Sequence, residues 1–209
     1  MGNSFDEKAA SWDDNPQRIE LVEKVWSLLK NQLKLSAEKK MLDYGCGTGL
    51  LGYKAIEQVH SVTFCDTSGG MLDQVKKKRD YYNHQNVAIL HSDFTTDKLP
   101  AQTYDLIVSM LVLHHVNEIK LLLNKFNKLL NLKGIFCWID LDKEDGTFHS
   151  DNTGVKHFGF SKSEIEDFFE DAGFKTTYYS TEIFMKRERD NTLRNYPLFI
   201  TVAEKISNK

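Results

Sequence analysis

The sequence predicts an α/β fold in which a mostly parallel sheet of seven strands lies between two layers of helices. Three observations predict it. Short apolar runs alternate with amphipathic helical stretches, the pattern of a parallel sheet covered on both faces. A turn carrying three glycines, Gly45-Cys46-Gly47-Thr48-Gly49, follows the first strand. Carboxylates, Asp43, Asp66 and Asp93, stand at the ends of the first three strands.

In chain order, residues 1–15 read as an irregular or partly helical N-terminal segment. Asn15-Pro16 then starts a helix, with Asn as the cap and Pro at the first helical position. Ile19, Val22, Trp26, Leu29 and Leu33 recur at spacings of three and four, one apolar helix face over about residues 16–34. KKMLDYG is the first strand and LLGYKAIEQ a helix. SVTFCD is the second strand and SGGMLDQVKKKRDYY a helix. VAILHSD is the third strand, YDLIVSMLVL the fourth, and Asn117 to Asn131 a helix. GIFCWIDL, a very apolar run, is a central fifth strand. SKSEIEDFFEDAG is a helix with a capping box, Ser161 and Glu164, ended by Gly173. TTYYST and LFITVAEK are the last two strands. Only KRERDNTLRN joins them, which predicts an antiparallel, hairpin-like edge.

Composition bounds the function. With 209 residues, 41% hydrophobic and 27% charged, the chain suits one globular domain, 1–209, with 1–34 as an N-terminal segment and helix. The net charge of −3 argues against a nucleic-acid partner, and the basic run Lys76 to Arg79 reads as the solvated face of a helix. No apolar run approaches the roughly 20 residues of a membrane span. The acidic start is unlike a signal peptide. Cys46, Cys65 and Cys137, odd in number and without a CxxC pair, read as buried thiols in a reducing, cytoplasmic setting. The partner expected is a small molecule, and the state a monomer or homodimer.

The glycine turn carries the chemistry. Glycine permits the tight backbone and lets main-chain N–H groups approach a ligand. A pyrophosphate loop of the G-x-G-x-x-G kind wants a third glycine where Leu50 stands, which argues against a nicotinamide-dependent oxidoreductase. Asp43, two residues before the first glycine, suits a cationic amine. Asp66 follows Gly45 by 21 residues, the place from which a Rossmann-like fold hydrogen-bonds ribose hydroxyls. Asp93 with Phe94 offers an acceptor and a ring for an adenine.

LDYGCGTG, TFCD, HSDF and YDLIVSMLVLHHV together resemble the class I S-adenosylmethionine-dependent methyltransferases, and within them the small-molecule branch that includes the ubiquinone/menaquinone-biosynthesis enzymes. The resemblance implies a Rossmann-like three-layer sandwich with strand order 3-2-1-4-5-7-6, strand seven antiparallel. It implies S-adenosylmethionine as cofactor and S-adenosylhomocysteine as product. Carried over by position, Gly45, Cys46, Gly47 and Gly49 line the loop under the amino-acid part of the cofactor, and Asp43 supports that loop or the amine. Asp66 binds the ribose, Thr67 and Met71 lie beside the adenine, Asp93 and Phe94 contact it from the other side, and Met110 lies near the reacting methyl.

A base is required only where the acceptor must lose a proton. His114 and His115 at the end of strand four, and His157 in the loop after strand five, are the catalytic candidates, each with a structural alternative. Phe5 and Trp12 are candidates for a lid over cofactor or substrate, or for pinning the segment to the domain. Arg18 could meet a carboxylate or lie on the helix surface. No Asn/Asp-Pro-Pro-Tyr tetrad follows strand four, which disfavours methylation of exocyclic amines. No Pro-Cys dipeptide or G-x-S-x-G elbow occurs. His149, Asp151 and His157 match no metal spacing, so no metal is expected. A cofactor-binding module without catalysis is the remaining alternative.

Overall fold

In the computed structural model, which describes residues 4–209, one seven-stranded sheet runs in the order 3-2-1-4-5-7-6. Its strands are β1 (Lys40–Tyr44), β2 (Ser61–Asp66), β3 (Val87–His91), β4 (Tyr104–Met110), β5 (Leu130–Leu141), β6 (Phe174–Arg189) and β7 (Thr192–Lys205). β1 to β5 pair in parallel, and β7 is antiparallel to both β5 and β6. The helices are α1 (Ser4–Lys8), α2 (Pro16–Leu29), α3 (Gly69–Tyr81), α4 (Ile119–Leu129) and α5 (Lys162–Asp171). Residues 1–3 of the expected N-terminal segment lie outside the described residues.

Alternation along the strands divides the core between the two faces of the sheet. Met41, Val62, Phe64, Leu106, Val108 and Ile139 point to one side, against α2 and Val75 of α3. Leu42, Tyr44, Cys65, Ile107, Phe136 and Trp138 point to the other, against α4 and α5. The caps read from the sequence are formed: the Asn15 side chain accepts from Gln17 N, and Ser161 and Glu164 close their capping box.

Three elements differ from the sequence reading. The apolar face of α2 is Leu21, Val22, Val25 and Leu29; Ile19 is exposed, so the buried stripe is rotated from the one the spacing suggested. Residues 50–58 form no α-helix. They hold a short 3-10 turn at Gly52–Lys54 with mostly i to i−3 hydrogen bonds, because the Gly52 N–H is drawn 2.9 Å to the Asp43 carboxylate. Most consequential is KRERDNTLRN. It is no loop: β6 and β7 stay paired out to Arg189 and Thr192. Asp190 and Asn191, both at positive φ (51° and 58°), make the two-residue turn. That geometry suits the right-handed twist of a hairpin, and Asp and Asn tolerate it.

Candidate functional site

The parallel strands end on one edge of the sheet, which is where ligands bind in open α/β sheets. Strand β1 delivers the glycine turn there. Gly45 has φ +67°, and a Cβ on it would stand 2.3 Å from Val112 Cγ2, so only glycine lets the turn slide under the loop after β4. That loop is itself bent by Leu111, held at φ +57° with its N–H on the Ile139 carbonyl at 2.8 Å. A non-glycine residue in this region stores strain of order 1–3 kcal/mol.

Asp66, at the tip of β2, closes a clasp on this turn. Its Oδ2 accepts the Gly47 N–H at 2.8 Å and its Oδ1 the Ser68 N–H at 2.9 Å. Burial pushes its carboxyl up, and these N–H groups pull it back down. Gly47 has φ +53°, and the atoms nearest a Cβ there are Trp12 Nε1 at 3.9 Å and Met71 Sδ at 4.0 Å. Asp43 is only 2% exposed and faces inward to Gly52, so of its two expected roles the structure supplies the support of the loop. Burial raises its carboxyl to about 7, the Gly52 N–H opposing. Cys46 lies half-buried in the turn, and Gly49 is packed beneath it against Phe64 and Tyr53.

The third strand differs from expectation. Asp93 accepts from Thr95 N (2.8 Å) and Thr95 Oγ1 (2.6 Å) in a local turn. Phe94 is fully buried and packs on Tyr44 at 5.0 Å, so its ring offers no face to a ligand: an aromatic next to a strand-end acid is also what a core needs. Thr67 is exposed and receives His91 Nε2 on its carbonyl at 2.9 Å. Met110 lies half-buried at the end of β4, against the core on the α2 side.

The N-terminal segment roofs this region. Asp6 Oδ1 accepts from Ser68 Oγ at 2.5 Å and Gly70 N at 2.9 Å. Asp13 accepts from Thr48 Oγ1 at 2.6 Å and pairs with Lys78 at 2.5 Å, and Lys78 also donates to the Thr48 carbonyl. Trp12 packs edge-on to Phe5 at 5.9 Å, and Arg18 stacks on the Trp12 ring at 3.7 Å rather than meeting a carboxylate. Asp6 has no signal in the sequence, and Lys78, read with its basic run as a solvated helix face, is instead drawn onto Asp13 and the Thr48 carbonyl.

Across the crevice stand the histidines. His114, 2% exposed, engages Asp140 Oδ1 through Nδ1 at 2.5 Å. Asp140, fully buried, also receives Trp138 Nε1, Leu141 N and His114 N. Burial alone would push its carboxyl up; His114 and these donors outweigh it and hold it low. His115 lies beside His114, with Nδ1 on the Gly154 carbonyl and its ring edge-on to Phe5 at 6.2 Å. His149 joins them, its ring 5.1 Å from His114 and 5.5 Å from His115. Burial, then the neighbouring imidazoles, lower His115 and bring His149 to about 4. His157 is elsewhere: its Nε2 is tied to the Val116 carbonyl at 2.9 Å, clamping its loop to the one after β4. Asp140 had a signal in the sequence, an acid inside an apolar strand that demands partners.

Residues 41–134 match the family model described as a methyltransferase domain. An uncharacterised methyltransferase of Schizosaccharomyces pombe is 26% identical over 147 residues, covering 63% of this chain and 52% of that one. A tRNA N3-cytidine methyltransferase of Danio rerio is 23% identical over 187 residues, covering 79% and 53%. The chain thus spans about half the length of these relatives. A S-adenosylmethionine-dependent methyltransferase from Aquifex aeolicus superposes with a TM-score of 0.69 at 22% identity, covering 96% and 98%. In strand order and glycine turn the chain is similar to the class I S-adenosylmethionine-dependent methyltransferases, and residues 41–134 match their domain model. S-adenosylmethionine is the cofactor named for the Aquifex aeolicus neighbour. The turn fits it, since Gly47 leaves open the space a side chain would fill and a strand-end carboxylate stands beside it. Among the described residues no helix is long and apolar enough to cross a membrane.

Proposed function

We propose that this protein methylates a small molecule in the cytoplasm, using the crevice at the carboxyl ends of β1, β2 and β4. The observation that carries the reading is the clasp of Asp66 on Gly47 and Ser68 beneath Trp12. Each Asp66 oxygen takes one main-chain N–H and keeps lone-pair capacity for a ribose hydroxyl. Gly45, Cys46, Gly47 and Gly49 form the floor under the amino-acid end. Thr67, Met71 and Asp93 bound the adenine end, without the Phe94 ring. Met110 borders the reacting end.

When bound, S-adenosylmethionine supplies a methyl group on a sulfonium, already a strong electrophile. The protein's own task is then to hold the acceptor in line, worth roughly 7–11 kcal/mol, and to exclude water. Phe5 and Trp12 are placed for exclusion, and an aromatic face beside a cation adds attraction. The ion pairs that fasten this segment are partly exposed and therefore weak, each about 0–1 kcal/mol. The segment can lift for exchange. His114 and His115 face the acceptor end, whereas the Nε2 of His157 is committed to a carbonyl. A small acceptor is supported by the net charge of −3 and by the recruitment of Lys78 from the only dense basic run to the Asp13 pair.

An acceptor screen read as S-adenosylhomocysteine release tests this. Turnover with thiols, phenols, amines or quinol-like compounds is expected. Turnover with tRNA alone would overturn the small-molecule reading, and none with any acceptor would favour a non-catalytic binding module.

A further inference from the structure

We propose that His114, His115 and His149 bind one first-row divalent transition-metal ion of the zinc type, with Asp140 as the carboxylate that orients and charges its central ligand. One ring nitrogen from each histidine lies within 4.8 Å of the others. His114 Nδ1 is spent on Asp140, and its Nε2 is buried with no partner. His149 Nε2 is also buried with no partner. His115 spends Nδ1 on the Gly154 carbonyl, which leaves its Nε2. Two orphaned buried nitrogens in one cluster need an explanation, because buried polar groups otherwise find hydrogen bonds. A metal ion supplies it. Imidazole is a preferred ligand of zinc, copper, nickel and iron, and a carboxylate on the remote nitrogen of a ligating histidine is the usual way such a ring is fixed. Bonds of about 2.1 Å require the three rings to draw together by roughly an ångström, a side-chain adjustment.

The fold builds the third ligand deliberately. His149 sits in the loop after β5, far from the other two in sequence. Glu144 Oε2 accepts the Thr147 and Phe148 N–H groups and sets the turn. The extended β6–β7 ribbon then grips it from the other side: Arg189 donates to the Thr147 and Phe148 carbonyls, Arg187 stacks on Phe148 at 4.9 Å, and Tyr196 Oη meets Thr147 Oγ1 at 2.7 Å. Three protein ligands leave a fourth position for water or for an acceptor heteroatom such as a thiolate. That last role rests on the methyltransferase reading; metal binding does not.

Untagged protein, stripped with chelator, is titrated with Co2+ and with Zn2+ in the absence of cofactor. One ion per chain is expected, at micromolar Kd or tighter, with visible bands of low-coordinate Co2+ that Zn2+ bleaches. His149→Ala should weaken binding at least 100-fold, Asp140→Asn 10- to 100-fold, and His157→Gln should leave it unchanged. Circular dichroism checks that each variant folds, and His115→Ala replaces His149→Ala if it does not. No saturable binding up to millimolar ion, or binding indifferent to these histidines, overturns the proposal. S-adenosylhomocysteine binding, measured separately, shows whether the cofactor reading stands on its own.

Discussion

The two sides of the crevice are made in different ways. On the β1–β2 side a single contiguous motif does nearly everything: Gly45 to Gly49 turn the chain, and one carboxylate 19 residues beyond Gly47 fastens it. On the β4–β5 side the polar cluster is assembled from three separated segments, the loop after β4 with the bend at Leu111 and the pair His114–His115, Asp140 inside β5, and His149 on a loop braced by the distal ribbon. The first side is read by main-chain geometry and the second by tertiary packing. Mutations should therefore act on the first side through backbone and cofactor, and on the second through side-chain chemistry.

The largest effect expected on the first side is electrostatic. The Asp43 carboxyl titrates near 7 in the fold against its ordinary value near 4 when unfolded. The native chain then holds a proton that the unfolded chain has released, so stability is lost as pH rises from about 4 to about 7 and levels off above. Asp43→Asn keeps an acceptor for Gly52 and removes the titration. Its stability relative to the wild type should rise by about 4 kcal/mol between pH 4 and pH 8 in urea unfolding. A flat difference would refute the burial of a neutral acid there.

Next is Asp66→Ala, which should weaken cofactor binding about 100-fold, as expected for a lost hydrogen bond to a charged acceptor plus an opened clasp. Calorimetry checks this, and an unchanged Kd would refute the ribose assignment. Gly45→Ala should cost about 2 kcal/mol of stability, since the new Cβ meets Val112 in a conformation that suits only glycine; a thermal melt within a degree of wild type would deny that close approach. The smallest effect should follow Trp12→Ala. Losing the contact to Arg18 and the roof over Gly47 should raise the cofactor dissociation rate a few-fold in stopped flow, with the fold intact. A rate unaltered there, and in a chain lacking residues 1–15, would reduce the segment to a structural pin.

The same contrast explains what the sequence made legible. The strand order, the cap at Asn15, the box at Ser161 and the glycine turn are local patterns and appear where the pattern put them, whereas the helix read over residues 50–58 does not form. Phe94 misled because an aromatic serves a core as readily as an adenine. The ribbon was hidden because its alternation is between charged and polar residues, with no apolar face to betray a strand. His149 was visible but unassigned: its partners His114 and His115 lie 35 and 34 positions away, and only the β5 crossover and the ribbon bring them together. Leu111 in a left-handed conformation has no sequence signature at all.

The central claim is that the clasped turn holds an adenosyl sulfonium. Titrating S-adenosylhomocysteine into the wild-type protein by calorimetry tests it most directly. The expected isotherm saturates at one ligand per chain with a Kd in the micromolar range or below. A flat trace at millimolar ligand, from protein that melts cooperatively, would contradict it.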